Sequence, residues 1–442
     1  MDAGPIGDAA ATRDPRRTAY RRITLRLMPL VVLSYCCAYV DRVNVGFAKL
    51  RMLSDLHFSD LTYGFGAGIF FIGYFLFEIP SNLLLQRYGA RVVLATIMVV
   101  WSVISAATSL VHTPAQFYVA RLLLGLAEAG LSPGIMLYLT YWFPPARRGF
   151  ALGAYYVGVP LAGIVGGPLS GMILKAFAGS TGFRDWQWLF VLEAIPSLLV
   201  GLVLLGFATS RPEQAHWLSD AERRAVQEDL AAGASPYEVH AGLRTFLLDG
   251  RMWRLASVYF CELVGLYGLS FWLPSVIRAS GIRDVATIGW VSAVPYLVAM
   301  PVIVLSGITA DRTGLRRLHF AGFLLVGAVA FALSGLSSLG PAGAVALLSV
   351  ATVGILSALS LFWGVPATLL GGTSAAVGIA LINAIGNLAG MMSPWMVGWL
   401  NVHTGGQQAG LVAVATFMAL GAVLVWTVPG SQERLRTRKE IR

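Results

Sequence analysis

The sequence predicts an all-α membrane protein, with twelve transmembrane helices in two pseudo-symmetric six-helix bundles and both termini in the cytoplasm. Three observations support this fold class: the composition, the number of long apolar stretches and the distribution of positive charge. Of the 442 residues, 57% are hydrophobic and 12% are charged, and the mean hydropathy is +0.71. Soluble domains carry about 25% charged residues, so the composition indicates an integral membrane protein.

Twelve apolar stretches are long enough to cross a bilayer, because each is close to the roughly 20 residues that a hydrocarbon core of about 30 Å requires. We number the helices that they predict 1 to 12 in chain order. The stretches lie at about 27 to 47, 62 to 84, 92 to 110, 116 to 138, 150 to 174, 187 to 208, 253 to 277, 286 to 308, 319 to 337, 342 to 362, 376 to 400 and 408 to 428.

Positive charge orients these helices. Of the 32 Lys and Arg residues, 24 fall on the side that both termini share, six fall on the other side, and Arg42 and Arg121 lie within the membrane. Lys and Arg concentrate in cytoplasmic loops, so both termini are predicted to be cytoplasmic. The net charge of +10 therefore reflects topology and does not indicate a nucleic-acid partner.

The polar segment from Thr209 to Arg251 divides six stretches from six. Within it, Ser219 precedes acidic residues and good helix formers, which predicts an amphipathic helix over Leu218 to Leu230. The predicted domains are a cytoplasmic tail (1–26), an N-terminal bundle (27–208), a cytoplasmic linker (209–251), a C-terminal bundle (252–428) and a cytoplasmic tail (429–442).

Several features are expected to be absent. The first 22 residues have no apolar core, so no cleaved leader is expected. Cys36, Cys37 and Cys261 fall in predicted spans, which gives no disulfide framework. The six His are not at metal-ligand spacing, so neither a metal site nor an organic cofactor is expected.

Four charged residues within the predicted spans are the main functional signal. Asp41 and Arg42 are adjacent in helix 1, and Arg121 and Glu128 lie in helix 4. Each charge costs roughly 2.5 to 3.5 kcal/mol at a bilayer centre unless it pairs, lines a wet cavity or serves a function. The seven-residue spacing in helix 4 puts Arg121 and Glu128 on one face, about 10.5 Å apart along the axis.

These residue types suit a carrier of carboxylates. Arg42 and Arg121 offer permanent charge and paired donors to an anion, and are predicted to bind substrate. Asp41 and Glu128 are predicted to carry protons, since burial and a nearby Arg have opposite effects on a carboxyl group. The alternative is an Arg-carboxylate network that only packs helices 1 and 4, and the two roles can coexist.

The two halves share a loop motif. Gly307-Ile-Thr-Ala-Asp311-Arg312-Thr-Gly314-Leu-Arg316 follows helix 8, and residues 82–91, which include Arg87, repeat its frame after helix 2. The first copy in the chain, after helix 2, has Asn82 for Gly and Gln86 for Asp. Both copies have the frame G-x-x-x-D-R-x-G-x-R of the major facilitator superfamily. In helix 5, Gly163-x-x-x-Gly167-Pro168-x-x-Gly171 also resembles a superfamily motif.

Within that superfamily the chain resembles the anion:cation symporter family over nearly its full length. The resemblance extends to the branch of bacterial permeases for tartrate, phthalate, hydroxyphenylacetate and sugar acids. The motifs that carry it are Asp41-Arg42-Val-Asn44-Val-Gly46-Phe-Ala48, Phe77-Glu78-Ile-Pro80-Ser81-Asn82, Arg121-x-x-x-Gly125-x-x-Glu128-Ala129-Gly130, Trp186-x-Trp188-Leu-Phe190-x-x-Glu193 and Asn383-x-x-Gly386-Asn387.

The resemblance implies proton coupling at Asp41 and Glu128 and anion or gating roles for Arg42 and Arg121. It also implies a cytoplasmic gate at the loop motifs. The gating candidates are Arg87, Asp311 and Arg312, together with Glu78, which can substitute for the missing acid in the first copy.

Aromatic and amide side chains are softer candidates. The predicted substrate-binding residues of this kind are Tyr35, Tyr156, Trp363 and Asn383; Tyr39, Tyr259, Tyr267 and Asn387 are weaker. Glu193 is interpreted as structural. Glu262, in helix 7, is left open between a second proton site, a specificity residue and an interhelical partner.

The predicted function is import of a small organic carboxylate with protons, by alternating access, in a bacterial cytoplasmic (inner) membrane. The predicted partners are the organic anion, protons and membrane lipid, and the predicted functional unit is a monomer. The alternatives are a membrane sensor that binds organic acids, and an anion exchanger or exporter. An enzyme is not expected, because Gly130-Leu-Ser132-Pro-Gly134 matches G-x-S-x-G within a helix and not at a strand-to-helix elbow.

Overall fold

The computed structural model describes residues 14–232, 248–336, 339–363 and 374–428, and these residues contain helices but no β-strand. Within these described ranges, eleven helices are long and apolar enough to cross a membrane. Helix 11 completes the predicted set of twelve as two consecutive segments of 14 and 16 residues. The fold class predicted from the sequence is confirmed.

The N-terminal bundle contains six spans. They are helix 1 (Pro15–Val43 and Val45–Leu56), helix 2 (Asp60–Tyr88), helix 3 (Ala90–Ala107), helix 4 (Pro114–Glu128 and Leu131–Trp142), helix 5 (Pro145–Tyr156 and Gly158–Ala176) and helix 6 (Asp185–Phe207).

The C-terminal bundle contains the other six. They are helix 7 (Gly250–Ala279), helix 8 (Val285–Thr313), helix 9 (Arg316–Leu333), helix 10 (Gly340–Phe362), helix 11 (Ser374–Asn387 and Ala389–Thr404) and helix 12 (Gln408–Leu424).

Helix 1 begins at Pro15, earlier than the apolar stretch predicts. The Asp14 side chain caps it by accepting a hydrogen bond from the backbone N–H of Arg16 at 3.0 Å. The added turns are rich in Arg and face the linker helix, Asp220–Ala232. Arg22 pairs there with Glu222 at 2.9 Å. Hydropathy misses this extension because contacts with the linker helix hold it, not burial in lipid.

The linker helix itself is predicted well. Ser219 caps it: the Ser219 hydroxyl accepts from the backbone N–H of Glu222 at 3.3 Å, and the Glu222 carboxylate accepts from the backbone N–H of Ser219 at 2.9 Å. This reciprocal pair is a capping box. The helix packs on helices 1 and 4, so it is anchored to the N-terminal bundle.

The loop motifs turn as their glycines predict. Gly89 ends helix 2 with φ of +86°, and Gly314 ends helix 8 with φ of +69°. Side-chain-bearing residues rarely adopt these angles, so glycine is the natural residue at each turn.

The two bundles meet through glycines on their outer halves. A Cβ atom added at Gly167 of helix 5 would lie 2.8 Å from the Gly289 carbonyl oxygen of helix 8, and one at Gly171 would lie 2.7 Å from that of Val285. Gly46 of helix 1 approaches the Phe271 carbonyl of helix 7 in the same way. The small-residue stripe of helix 5 thus packs against helix 8 across the bundle interface.

Helices 5 and 8 separate toward their cytoplasmic ends. No described atom lies within 4 Å of a Cβ added at Gly149, Gly153 or Gly307. Near the same level, Ile79 is 73% exposed and Phe150 is 63% exposed. With the outer halves packed together, the space between the described parts of helices 5 and 8 opens toward the cytoplasmic side.

Candidate anion and proton site

Asp41, Arg42 and Glu128 lie where helices 1 and 4 are interrupted, and Arg121 lies two turns before the break in helix 4. The first segment of helix 1 ends at Val43, two residues after Asp41, and the first segment of helix 4 ends at Glu128. Interrupted helices near the bilayer midplane are common at transporter binding sites. Both interruptions lie in tight packing regions: Gly46 contacts helix 7 and Gly130 contacts Ser81 of helix 2.

Arg42 and Glu128 form an ion pair between helices 1 and 4. Arg42 is 6% exposed and Glu128 is fully buried. The guanidinium carbon of Arg42 also lies 5.3 Å from the ring centroid of Phe70 and 5.4 Å from that of Tyr74. This packing encloses the pair in aromatic surface, where its attraction is little screened.

Arg121 lies near the same Phe70 ring. Its guanidinium carbon is 5.1 Å from the Phe70 centroid, and its side chain is fully buried. Among the described residues, none of its three guanidinium nitrogens has a hydrogen-bond partner. A buried cation of this kind is costly unless an anion completes it. Phe70 therefore lies close to two arginines, one in an ion pair and one whose guanidinium has no hydrogen-bond partner among the described residues.

Asp41 faces a different environment. Its carboxylate accepts hydrogen bonds from Trp101 Nε1, Ser105 Oγ and Ser197 Oγ, each at 2.8 Å. These donors come from helices 3 and 6. Adjacent residues on a helix point about 100° apart, so the Asp41 side chain faces different helices from those that Arg42 faces. The two predicted proton carriers thus occupy separate sites with different partners.

The three donors to Asp41 are residues that the sequence prediction missed. Trp101, Ser105 and Ser197 lie on two helices distant in sequence, so no spacing links them to Asp41. The only signal is polar side chains inside apolar spans, which is weak because Ser is common in membrane helices.

Aromatic side chains line both bundles near this level. Tyr35 stacks on Tyr155 with ring centroids 4.2 Å apart and meets Tyr156 edge-on at 6.1 Å. In the C-terminal bundle, Trp363 meets Tyr259 at 5.0 Å. Tyr155, which the sequence prediction missed, is held by a 2.8 Å hydrogen bond to Ser132.

Polar contacts also cross between the bundles. The Asn383 amide donates to the Glu78 carboxylate at 3.3 Å, so these two candidates partner each other in this conformation. The Tyr39 and Ser270 hydroxyls lie 2.7 Å apart. Within the C-terminal bundle, Tyr267 donates to Asn387 at 3.0 Å.

The two remaining buried acids differ from each other. Glu193 accepts a hydrogen bond from Ser170 of helix 5 at 2.6 Å. Glu262 is fully buried in helix 7, and neither of its carboxyl oxygens has a hydrogen-bond partner among the described residues.

The loop-motif residues lie at the exposed cytoplasmic ends. Asp311 forms an ion pair with Arg316 of the same motif, and Arg87 packs near the Tyr88 ring at 5.4 Å. Arg312 is also exposed. In the described residues no ion pair joins these motifs to the opposite bundle, so a cytoplasmic gate stays a prediction for another conformation.

Comparison with known proteins places this architecture. A family model described as Major Facilitator Superfamily matches residues 31–394. The metabolite transport protein NicT of Pseudomonas putida is 41% identical, over 93% of this chain and 95% of its own length. A protein of Agrobacterium vitis named as a tartrate transporter is also 41% identical, over 94% of this chain and 92% of its own.

Two further matches are a named transporter and a solved structure. A quinolone resistance transporter of Acinetobacter baumannii is 37% identical, over 96% of this chain and 98% of its own. The crystal structure of a bacterial homologue of the lysosomal transporter Spinster, inward-facing and unoccupied, superposes with a TM-score of 0.74 at 17% identity. It covers 96% of this chain and 98% of its own, and it supports the fold alone.

Proposed function

Because the chain belongs to the Major Facilitator Superfamily and is a membrane transporter, not an enzyme, we propose that it imports a small organic carboxylate together with protons. The two bundles alternate access to a site between them, and the structure corresponds to the form open to the cytoplasm. The proposed location is a bacterial inner membrane, with a single chain as the working unit.

One observation supports this proposal above the others: Arg121 is a fully buried guanidinium without a described partner, 5.1 Å from the same Phe70 ring that contacts the Arg42–Glu128 pair. A carboxylate supplies the anion that Arg121 lacks. Arg offers it two parallel donors in a fixed plane, which a Lys cannot.

The proposed coupling follows from competition for Arg42. A carboxylate that binds Arg121 and reaches Arg42 displaces Glu128 from its ion pair. A buried carboxylate without its cation favours the protonated form, so Glu128 then takes up a proton. Release of the substrate to the cytoplasm restores the pair and expels the proton. Asp41 is the second proposed carrier, because movement of helices 3 or 6 changes the three hydrogen bonds that its carboxylate accepts.

The proposed substrate class is a hydroxy acid, dicarboxylate, sugar acid or aromatic acid. Two guanidinium groups suit a second carboxylate, and the aromatic set of Tyr35, Tyr156 and Trp363 suits a ring or a carbon chain. The name of the tartrate transporter relative supports a carboxylate. Asn383 joins the proposed site if a substrate oxygen replaces Glu78 as its partner.

Export is the second candidate function, and the quinolone resistance relative favours it. The same site can carry an acid out of the cell when the proton gradient drives the exchange of external protons for internal acid. A sensor that binds acids without moving them predicts binding but no flux, so transport measurements separate all three.

Purified protein is first screened by thermal shift against tartrate, phthalate and hydroxyphenylacetate, because a ligand of the folded state raises the melting temperature. Proteoliposomes then receive the labelled acid that stabilises best. We expect uptake that rises with an inward proton gradient and collapses with a protonophore. Binding without flux supports the sensor. Accumulation of the acid only when the proton gradient is directed out of the proteoliposome supports the exporter.

A further inference from the structure

Resting on the proposed function, we propose that a second anion site lies at the cytoplasmic end of the transport path and takes an organic carboxylate with an apolar body. The site, called the mouth pocket below, is a cavity of about 480 Å³ formed by the start of helix 1, the end of helix 4 and the start of helix 5. Arg17, Arg21 and Arg147 line it.

The charged side chains that line the pocket are all arginines; the nearby Asp229, which interacts with the lining residue Tyr20, pairs with Arg16. No acidic residue is among the described residues that line the mouth pocket, and no described ion pair involves Arg17, Arg21 or Arg147. The neighbouring Arg16 and Arg22, by contrast, pair with Glu228 and Glu222 of the linker helix. Arg17 and Arg21 are one turn apart on helix 1, so they repel each other until an anion joins them.

The pocket also has apolar walls. Tyr20 and Phe143 are buried beneath it with ring centroids 6.3 Å apart, and the Arg147 guanidinium carbon lies 4.2 Å from the Tyr20 centroid. Leu25 and Phe150 at its edge are 66% and 63% exposed. Its volume is in the range of small-molecule sites. These walls suit an acid with a ring or chain better than a bare inorganic anion.

The pocket and the central site share one face of helix 1. Arg17, Thr24, Tyr35 and Arg42 are separated by intervals of 7, 11 and 7 residues, which at 3.6 residues per turn keep them in line. The adjoining start of helix 5 is open, since a Cβ at Gly149 or Gly153 would contact nothing within 4 Å. The shared face of helix 1 places the pocket in line with the central site, at the cytoplasmic end of the helix.

An acid released from the central site passes these arginines on its way to the cytoplasm. A cluster of one charge raises the local concentration of the opposite charge, and salt weakens the effect over about 10 Å at 0.1 M. We therefore expect the mouth pocket to raise the affinity of the inward-facing form for cytoplasmic acid, and so to favour exchange over net release.

The test counts sites with radiolabelled phthalate in equilibrium dialysis of the full chain. We expect two sites in the parent. The triple variant Arg17→Gln/Arg21→Gln/Arg147→Gln should retain only the central site, which shows that it is folded, and Arg121→Gln should retain only the pocket. The control Arg224→Gln/Arg254→Gln/Arg317→Gln removes the same charge from the same membrane face and should keep both.

Retention of both sites in the triple variant, or equal loss in the control, overturns the proposal, as does absence of phthalate from the pocket. If the parent binds phthalate in the pocket but not at the central site, the proposed function is contradicted and the proposal of the mouth pocket is still supported. Native mass spectrometry with phosphatidylglycerol and phosphatidylcholine is the second measurement. If phosphatidylglycerol stays bound in the presence of phthalate, and this binding requires Arg17, Arg21 and Arg147, the pocket is assigned to a lipid headgroup. Inorganic phosphate that displaces phthalate at equal concentration assigns it to a free inorganic anion.

Discussion

Arg42 of helix 1 forms an ion pair with Glu128 of helix 4, with both side chains withdrawn from solvent. The pair joins two interrupted helices and contains one residue of each predicted role, an anion binder and a proton carrier. Removing one partner of a buried pair typically costs 3 to 5 kcal/mol, because the other charge is left alone. Isosteric substitutions are therefore better probes than truncations to Ala.

Glu128→Gln should separate binding from coupling. Gln preserves the shape but cannot exchange a proton, so we expect loss of uptake driven by a pH gradient while labelled external acid still exchanges with unlabelled internal acid. Both fluxes are measured in the same proteoliposomes. Glu193→Gln, a change in another buried acid, is the matched control and should retain both. Loss of both activities in Glu128→Gln would instead make Glu128 a substrate ligand or a structural residue.

Arg121→Gln and Arg42→Gln should both weaken binding but differ in stability. A charge-assisted hydrogen bond contributes about 1.5 to 3 kcal/mol, so each variant should bind acid roughly 10- to 150-fold more weakly in calorimetry. Arg121 has no described partner to lose, so its variant should melt at or above the parent temperature. Arg42→Gln leaves Glu128 unpaired and should melt lower. Equal melting shifts would show that Arg121 has a partner in the protein, and Arg→Lys should rescue binding only in part.

Asp41→Asn should destabilise the protein more than Glu193→Gln does. Three donors converge on Asp41, and an amide nitrogen placed among them faces another donor. Glu193 has one described donor, Ser170, which the Gln carbonyl can still accept. We expect a lower melting temperature and loss of proton-driven uptake in Asp41→Asn. Addition of Ser197→Ala, which removes one of the donors, should recover part of the melting temperature; no recovery would show that donor crowding is not the cause.

The spans and the central charges were predictable because hydropathy and charge are local properties of the sequence. The partners of those charges were not. Asp41 and Arg42 are adjacent in sequence, yet one faces helices 3 and 6 and the other faces helices 2 and 4. That division depends on how the helices are rotated in the bundle, which hydropathy does not encode. The sequence suggested an Arg-carboxylate network between helices 1 and 4, beside or instead of a substrate role, but did not pair Arg42 with Glu128 in particular.

The outer closure depends on contacts that were equally hidden from the sequence. The Lys49 ammonium lies 3.0 Å from the Asp60 carboxylate and 3.4 Å from the ring centroid of Trp272 in the opposite bundle. Asn401, also of the C-terminal bundle, donates to Asp60 at 3.0 Å. The Asp60 carboxylate of the N-terminal bundle thus contacts one side chain of its own bundle and one of the C-terminal bundle.

Asp60→Asn should therefore shift the protein toward the outward-open form. The substitution removes the carboxylate charge that contacts both Lys49 and Asn401. The equilibrium between the inward-open and outward-open forms then shifts, because these contacts stabilise only the form that is closed on the outer side. Distances between spin labels on the outer ends of helices 2 and 11 should lengthen. Lys175→Gln, which breaks the exposed pair with Asp284 on the same side, should leave them unchanged. Unaltered distances in Asp60→Asn would remove this cluster from the closure.

Glu262→Met should stabilise the protein. Tyr259 and Gly265 lie three residues before and after Glu262 on helix 7. Tyr259 stacks on Phe362 of helix 10, and Gly265 adjoins Ile355 of the same helix. It is fully buried, and no described residue bonds its carboxyl oxygens. Burying a polar group without a hydrogen bond costs about 1 to 3 kcal/mol in mutational data, and Met fills a similar volume without that cost.

The measurement is the melting temperature of Glu262→Met beside that of Glu193→Met. The second variant loses the hydrogen bond from Ser170 and should melt below the parent, whereas the first should melt above it. Proton-driven uptake then assigns the role of Glu262. Higher stability with lost uptake means that the carboxyl is kept for transport, as a second proton site or a specificity residue. Lower stability would show that Glu262 has a partner outside the described residues and serves as an interhelical tie.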